Sequence, residues 1–366
     1  MSTVRKRFAV LLVALLGTGG AAVATGPAVA APAPGTVRSI TTAVLPAPLN
    51  GLATGKRIEY FSTDANGTAI TATGLILTPR IGKNDKIVAW AHGTTGLADQ
   101  CAPSTNSKVF WPEARTAVAG LLSKGWTVAA TDYPGLGTPQ QHPYLIGASE
   151  ARAIIDSVKA ARNLDRTLST QYVVDGHSQG GQGALFTGQM AAYDGALALR
   201  GVVAIAPVSN VALLAQFIPG TPSQGYLVMG LFGLATVESV NPRALLAEPA
   251  QRRLDVLGTG CLNEILAAYS DLTAAELLVG GALPRPVVNR LVRWDEPAQA
   301  PSTVPILVVQ GTEDLQVPYD FTAELVTRLE AYPMPVRFLV IQGADHEGAV
   351  IQSVEQVDTW IAARFS

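Results

Sequence analysis

Residues 172–185, YVVDGHSQGGQGAL, restrict the fold of this chain more than any other stretch. Tyr172, Val173 and Val174 make a β-prone apolar run and Gln182 to Met190 reads as a helix, so Ser178 falls where a buried strand turns into a helix. Gly176, Ser178 and Gly180 match G-x-S-x-G, the nucleophile elbow, in which a serine is held on a strained corner between small neighbours. Glycine and serine also cluster in ordinary turns for backbone reasons, so five residues need support from the rest of the chain.

That support begins with the alternation of elements. RIEYFST and AITATGLILTP read as an opening antiparallel pair and KIVAWAHG as a buried strand. An amphipathic stretch from Val109 to Ser123, the strand WTVAATDY and a helix from Ser149 to Asn163 lead to the elbow, and the strand GVVAIAP follows it. Further on come PILVVQGTED, a helix from Phe321 to Glu330, VRFLVIQG and a terminal helix from Gly348 to Arg364. Short, wholly apolar strands alternating with helices predict an α/β fold whose central sheet is mostly parallel and covered on both faces.

The rhythm breaks between the two halves. Residues 209–304 read as helices and loops without a clear strand, an inserted helical cap or lid dividing the core into residues 31–208 and 305–366. Phe217, Tyr226, Leu227, Met229, Leu231 and Phe232 crowd its first part. Most such side chains serve ordinary core packing. Phe217 and Phe232, with Tyr133 at the end of WTVAATDY, are the candidates for touching a substrate.

The N-terminus reads as a targeting segment. Arg5, Lys6 and Arg7 precede the short apolar run Phe8 to Leu16, and Ala28-Val29-Ala30 supplies a small-x-small cleavage pattern, giving a signal peptide over residues 1–30 cut near Ala30–Ala31. Gly17, Gly19 and Gly20 break the run well short of a membrane span, so no stable membrane anchor is expected. Residues 21–50, rich in Ala, Pro and Gly, read as an extended leader without a packing pattern. The formal net charge of −2, with charges scattered, gives no footprint for nucleic acid. Cys101 and Cys261 are the only cysteines and lack metal or redox spacing, so export predicts one disulfide between them.

A serine nucleophile needs a base, and the base an orienting acid. His92 and His177 sit in glycine motifs and His142 lies upstream, so only His346, in IQGADHEGA, follows the serine as the order Ser, acid, His requires. For the acid, VVQGTEDLQVP ends a strand and offers Asp314 at G-x-x-D-x-x-V-P spacing, with Glu313 and Asp345 as alternatives. The developing oxyanion needs two fixed N–H donors: those of Gln179, after the serine, and Thr94, after the strand ending in His92-Gly93. His92 itself reads as a brace for its loop.

In this order AHGTTG, CAPS, ATDYPGLGTP, HPYL, GHSQGG, GTEDLQVP and DHEG resemble the secretory lipase family of the α/β-hydrolase superfamily, over nearly all of the mature chain. The resemblance implies Ser178, Asp314 and His346 as triad, Thr94 and Gln179 as oxyanion hole, and a cap over an acyl-binding site. It also implies a secreted ester hydrolase acting on acylglycerols or simpler esters through an acyl-enzyme, with no metal and no organic cofactor. Since a triad does not choose between water, amide and alcohol, a serine peptidase or acyltransferase is the alternative on the same fold. A non-catalytic binding protein would usually lack a triad member, and none is missing. Oligomeric state is left open.

Overall fold

A computed structural model describes residues 32–366, which pack as one unit; the expected signal peptide lies outside the described residues. Nine strands form one sheet in the order β1-β2-β3-β5-β4-β6-β7-β8-β9. They are β1 (Val37–Ala43), β2 (Ala53–Thr63), β3 (Ala69–Pro79), β4 (Ile87–Ala91), β5 (Thr127–Thr131), β6 (Gln171–His177), β7 (Ala198–Ile205), β8 (Ile306–Gly311) and β9 (Val336–Ile341). The first three and the β3–β5 pairing are antiparallel; from β5 to β9 every neighbour is parallel.

β4, β5 and β8 are buried along their whole length, which is why they read as continuous apolar runs rather than alternating ones. On one face of the sheet the helices Gly147–Leu164, Gln179–Gln189 and Tyr319–Glu330 supply Ile154, Ala184 and Leu325 to a core with Ile87, Tyr172 and Val308. On the other, Pro112–Ser123 and Val354–Ala362 bring Val118, Leu121 and Trp360 against Val88, Val173 and Val309.

Two expectations are corrected. Residues 37–43 are not part of a patternless leader but form the edge strand β1, paired with β2. It is half-buried only at its ends, so no alternation marks it in the sequence. The terminal helix is two helices, His346–Ile351 and Val354–Ala362, broken at Gln352 and Ser353.

Between β7 and β8 the chain is helical, with Leu246 and Leu278 forming the one isolated bridge among the described residues. Its longer helices, Val211–Phe217, Gln224–Leu234, Leu262–Tyr269 and Arg285–Asp295, enclose a third apolar cluster that includes Leu214, Leu227, Leu231, Ile265 and Leu291. The disulfide joins Cys101 to Cys261, 160 residues apart, and so ties the loop after β4 to the start of Leu262–Tyr269. No helix among the described residues is long and apolar enough to cross a membrane.

Candidate active site

Ser178 stands between β6 and the helix Gln179–Gln189 with φ 57° and ψ −116°. A side chain disfavours that backbone, so the surroundings must hold it. The Ser178 N–H donates to Ile205 O at 2.9 Å, and its carbonyl accepts from Gln182 N–H at 3.1 Å. The flanking glycines are required by contact: a Cβ on Gly180 would lie 1.9 Å from Ala91 O, and one on Gly176 would lie 2.1 Å from Gly180 O. Strand and helix can therefore cross only where those positions carry no side chain, which leaves Ser178 half-buried at the corner.

His346 opens the helix His346–Ile351 after β9. Its Nδ1 lies 2.7 Å from Asp314 Oδ2, in the loop after β8. Asp314 is itself fixed: Gln310 Nε2 donates to Oδ2 at 2.9 Å, and the N–H groups of Gln316 and Val317 each donate to Oδ1 at 2.8 Å. With Nδ1–H donating to Asp314, the Nε2 of His346 carries the lone pair. Burial works to lower the His346 pKa, but the hydrogen bond and charge of Asp314, with Glu347 and Glu113 adding, hold it above the ordinary value. Burial works to raise Asp314, and the His346 hydrogen bond and charge, joined by the two backbone donors, hold it below the usual carboxylate range. The alternative acids are elsewhere engaged or exposed: Asp345 caps the His346–Ile351 helix through Gly348 N–H, and Glu313 points to solvent.

Thr94 is buried, its hydroxyl 2.8 Å from Tyr144 OH and its carbonyl accepting from Trp111 Nε1–H at 3.1 Å. The backbone N–H groups of Thr94 and Gln179 donate to no other group among the described residues. The side chain of Gln179 is locked below the elbow. His142 Nδ1–H donates to Pro134 O at 2.7 Å, so His142 Nε2 accepts from Gln179 Nε2, 3.3 Å away, while the same nitrogen donates to Glu150 Oε1 at 2.8 Å. Burial pushes His142 down to about 4 and Glu150 up to about 8, so both are uncharged at neutral pH. His92, which braces its loop, is buried with Nδ1 2.7 Å from Gly93 O and its ring 4.5 Å from that of Tyr133.

Two cavities meet at Ser178, and both are lined by Thr94, Tyr226 and Gln316. One is a narrow apolar slot of about 70 Å³ between Val208, Leu214, Ile218, Leu227 and Leu291, with Asp295 in its wall. Burial, with Glu150 and Glu296 adding, raises Asp295 well above the usual carboxylate range, which favours an uncharged wall here. The other, of about 330 Å³, is more polar and has His346, Glu113, Glu347 and Asn263 in its lining. Gln316 links them across the mouth, donating to Glu347 Oε1 at 2.9 Å and accepting from Tyr226 OH at 2.8 Å.

A family model described as secretory lipase matches residues 111–366. The chain belongs to the secretory lipase family. It is an exported carboxylic ester hydrolase. The secreted triacylglycerol lipase LIP7 of Malassezia globosa is 25% identical over 332 residues, covering 82% of this chain and 68% of that protein. LIP4 of the same organism is 27% identical over 289 residues, 72% of this chain and 61% of its own length. Among solved structures, Candida antarctica lipase A in its closed state superposes with a TM-score of 0.77 at 20% identity, covering 91% of this chain and 82% of that one. The rice cell wall degrading esterase LipA of Xanthomonas oryzae gives 0.71 at 19% identity, over 91% and 97%. These likenesses establish the α/β-hydrolase fold that the family resemblance implies, with the mostly parallel sheet that the strand–helix alternation predicts.

In this secretory lipase none of the three aromatic candidates lines either cavity. Tyr133 is fully buried behind the site, its hydroxyl donating to His92 O at 3.0 Å. Phe217 is 51% exposed and meets Phe321 edge-on. Phe232 is half-buried within the helical segment's own cluster. Aromatic size drew attention to these positions, but the slot is walled by their aliphatic neighbours. Glu113, Glu150 and Asp295, and the place of His142 beneath Gln179, carry no local signal in the sequence, because each gains its place through an element distant in sequence.

Proposed function

We propose that Ser178 is the nucleophile of this ester hydrolase, with His346 as general base and acid and Asp314 as the group that orients and charges the imidazole. The observation that carries the reading is the 2.7 Å His346–Asp314 contact behind a cavity that Ser178 and His346 line together. Ser178 Oγ attacks the ester carbonyl while His346 Nε2 takes its proton. The oxyanion accepts from the N–H groups of Thr94 and Gln179, which have no competing partner among the described residues. His346 then protonates the departing alcohol, and water repeats the sequence on the acyl-enzyme. Acylglycerols or simpler esters are the proposed substrates, with the helical segment 209–304 acting as a cap. Supporting the cap, Leu214, Ile218, Leu227 and Leu291 of that segment wall the apolar slot, the proposed acyl site.

A fluorophosphonate probe is expected to label Ser178, identified by peptide mass spectrometry. Ser178→Ala is expected to abolish labelling and lower kcat on p-nitrophenyl butyrate by about a millionfold. Labelling that persists in the variant overturns the assignment.

A further inference from the structure

Resting on that reading, the two cavities can be told apart by chemistry. A tetrahedral intermediate carries its acyl chain and its alkoxy group in different directions, and the general acid must face the alkoxy oxygen it protonates. His346 lines the polar cavity and is absent from the apolar slot. The departing alcohol therefore lies in the 330 Å³ cavity and the acyl chain in the slot.

Glu113 gives the alcohol side a carboxyl of its own. It lies in the first turn of the helix Pro112–Ser123, is 6% exposed, lines this cavity, and accepts a hydrogen bond from its own backbone N–H but from no other residue among the described residues. A carboxyl so largely withdrawn from water and held only by its own N–H has acceptor capacity left unused. Its natural relief is a donor that arrives with the ligand. Glu347 and Asn263, exposed at the same cavity, offer further hydrogen-bonding atoms, whereas Trp111, Leu262 and Ile351 supply apolar surface for carbon-bound hydrogens. Burial, with the Glu347 charge adding, pushes Glu113 up to about 7, so it accepts as a carboxylate above neutrality.

We propose that this cavity is an alcohol subsite and Glu113 its specificity residue, selecting esters whose alcohol carries a further free hydroxyl, as a partial glyceride does, over esters of plain alkanols. A hydroxyl on the alcohol donates to Glu113, and an alkanol leaves that carboxyl with its own N–H as sole donor.

The test compares glyceryl 1-butyrate with propyl butyrate, which share the acyl group and the three-carbon alcohol and differ only in two hydroxyls. Wild type is expected to favour the glyceryl ester in kcat/KM by about tenfold, the worth of one hydrogen bond to a charged acceptor. Glu113→Leu is expected to bring that ratio near one, and Glu113→Gln, which keeps an acceptor oxygen, to give an intermediate ratio. A wild-type ratio near one overturns the proposal, as does a variant that slows both esters by the same factor. Should Glu113→Leu fail to fold, the wild-type and Glu113→Gln ratios still decide. Probe labelling separates this from the parent reading: intact labelling of Ser178 with a flat ratio removes only the subsite, whereas absent labelling removes both.

Discussion

The left-handed φ of 57° at Ser178 costs about 1–3 kcal/mol, held by the backbone bonds on either side and by glycines that let β4, β6 and the elbow helix approach. Such strain at the proposed nucleophile keeps its oxygen clear of the helix it would otherwise cap. At His346 the constraint is electrostatic. Asp314, Glu347 and Glu113 all favour the imidazolium, while His177, whose ring centroid is 4.5 Å away, is held neutral because burial pushes it well below the usual histidine range. The proposed base works only when neutral. Because its pKa is raised, the acid limb of kcat/KM is expected to lie above the ordinary histidine value of 6.5, activity rising as pH climbs through it. Glu347→Gln removes one charge that favours protonation, so the limb is expected to move to lower pH. Turnover of p-nitrophenyl butyrate between about pH 5 and pH 9 measures this; an unmoved limb would mean that Glu347 does not act on His346.

At the scale of elements, neighbouring residues on one helix have opposite fates. Phe217 ends the helix Val211–Phe217 and Ile218 caps it with the backbone still helical, yet successive residues differ by about 100° around the axis, so Ile218 turns into the slot while Phe217 faces outward. Ile218→Ala is therefore expected to lengthen the slot and raise the ratio of octanoate to butyrate turnover. Each added buried methylene is worth about 0.8 kcal/mol, or roughly fourfold in kcat/KM. Phe217→Ala and Phe232→Ala, outside the lining, are expected to leave that ratio near wild type. Matched p-nitrophenyl esters give the measurement, and equal ratios in all three variants would show that the slot does not read chain length. The Gly147–Leu164 helix has a different task. Its Glu150 meets Gln179 at the start of the elbow helix, so the proposed oxyanion donor is seated on a neutral, buried polar network.

For the molecule as a whole, the disulfide is placed where it serves site and stability together. Leu262 N–H donates to Thr95 O at 2.8 Å beside the Cys101–Cys261 link, so the helical segment is pinned next to the Thr94 loop. Closing a loop of 160 residues restricts the unfolded chain, and loss of such a link typically costs about 2–4 kcal/mol. Cys101→Ser with Cys261→Ser is expected to lower Tm by several degrees, and alkylation of the unreduced exported protein to find no free thiol. A Tm unchanged by the double substitution would remove the link from the stability of the fold.

The sequence by itself determined what is local or limited by elimination. The elbow at Ser178 is legible because its steric demand falls on residues two positions away. The parallel strands are legible because burial on both faces needs unbroken apolar runs, and His346 because no other histidine follows the serine. Asp314 stood among three carboxylates until tertiary structure put one of them against the imidazole. β1 was not legible, since an edge strand exposed along its middle carries no pattern. Nor were the slot, the Gln179 network or the buried Glu113. Those depend on which side chains from separate helices converge, and packing across more than a hundred residues leaves no periodic trace in any single segment.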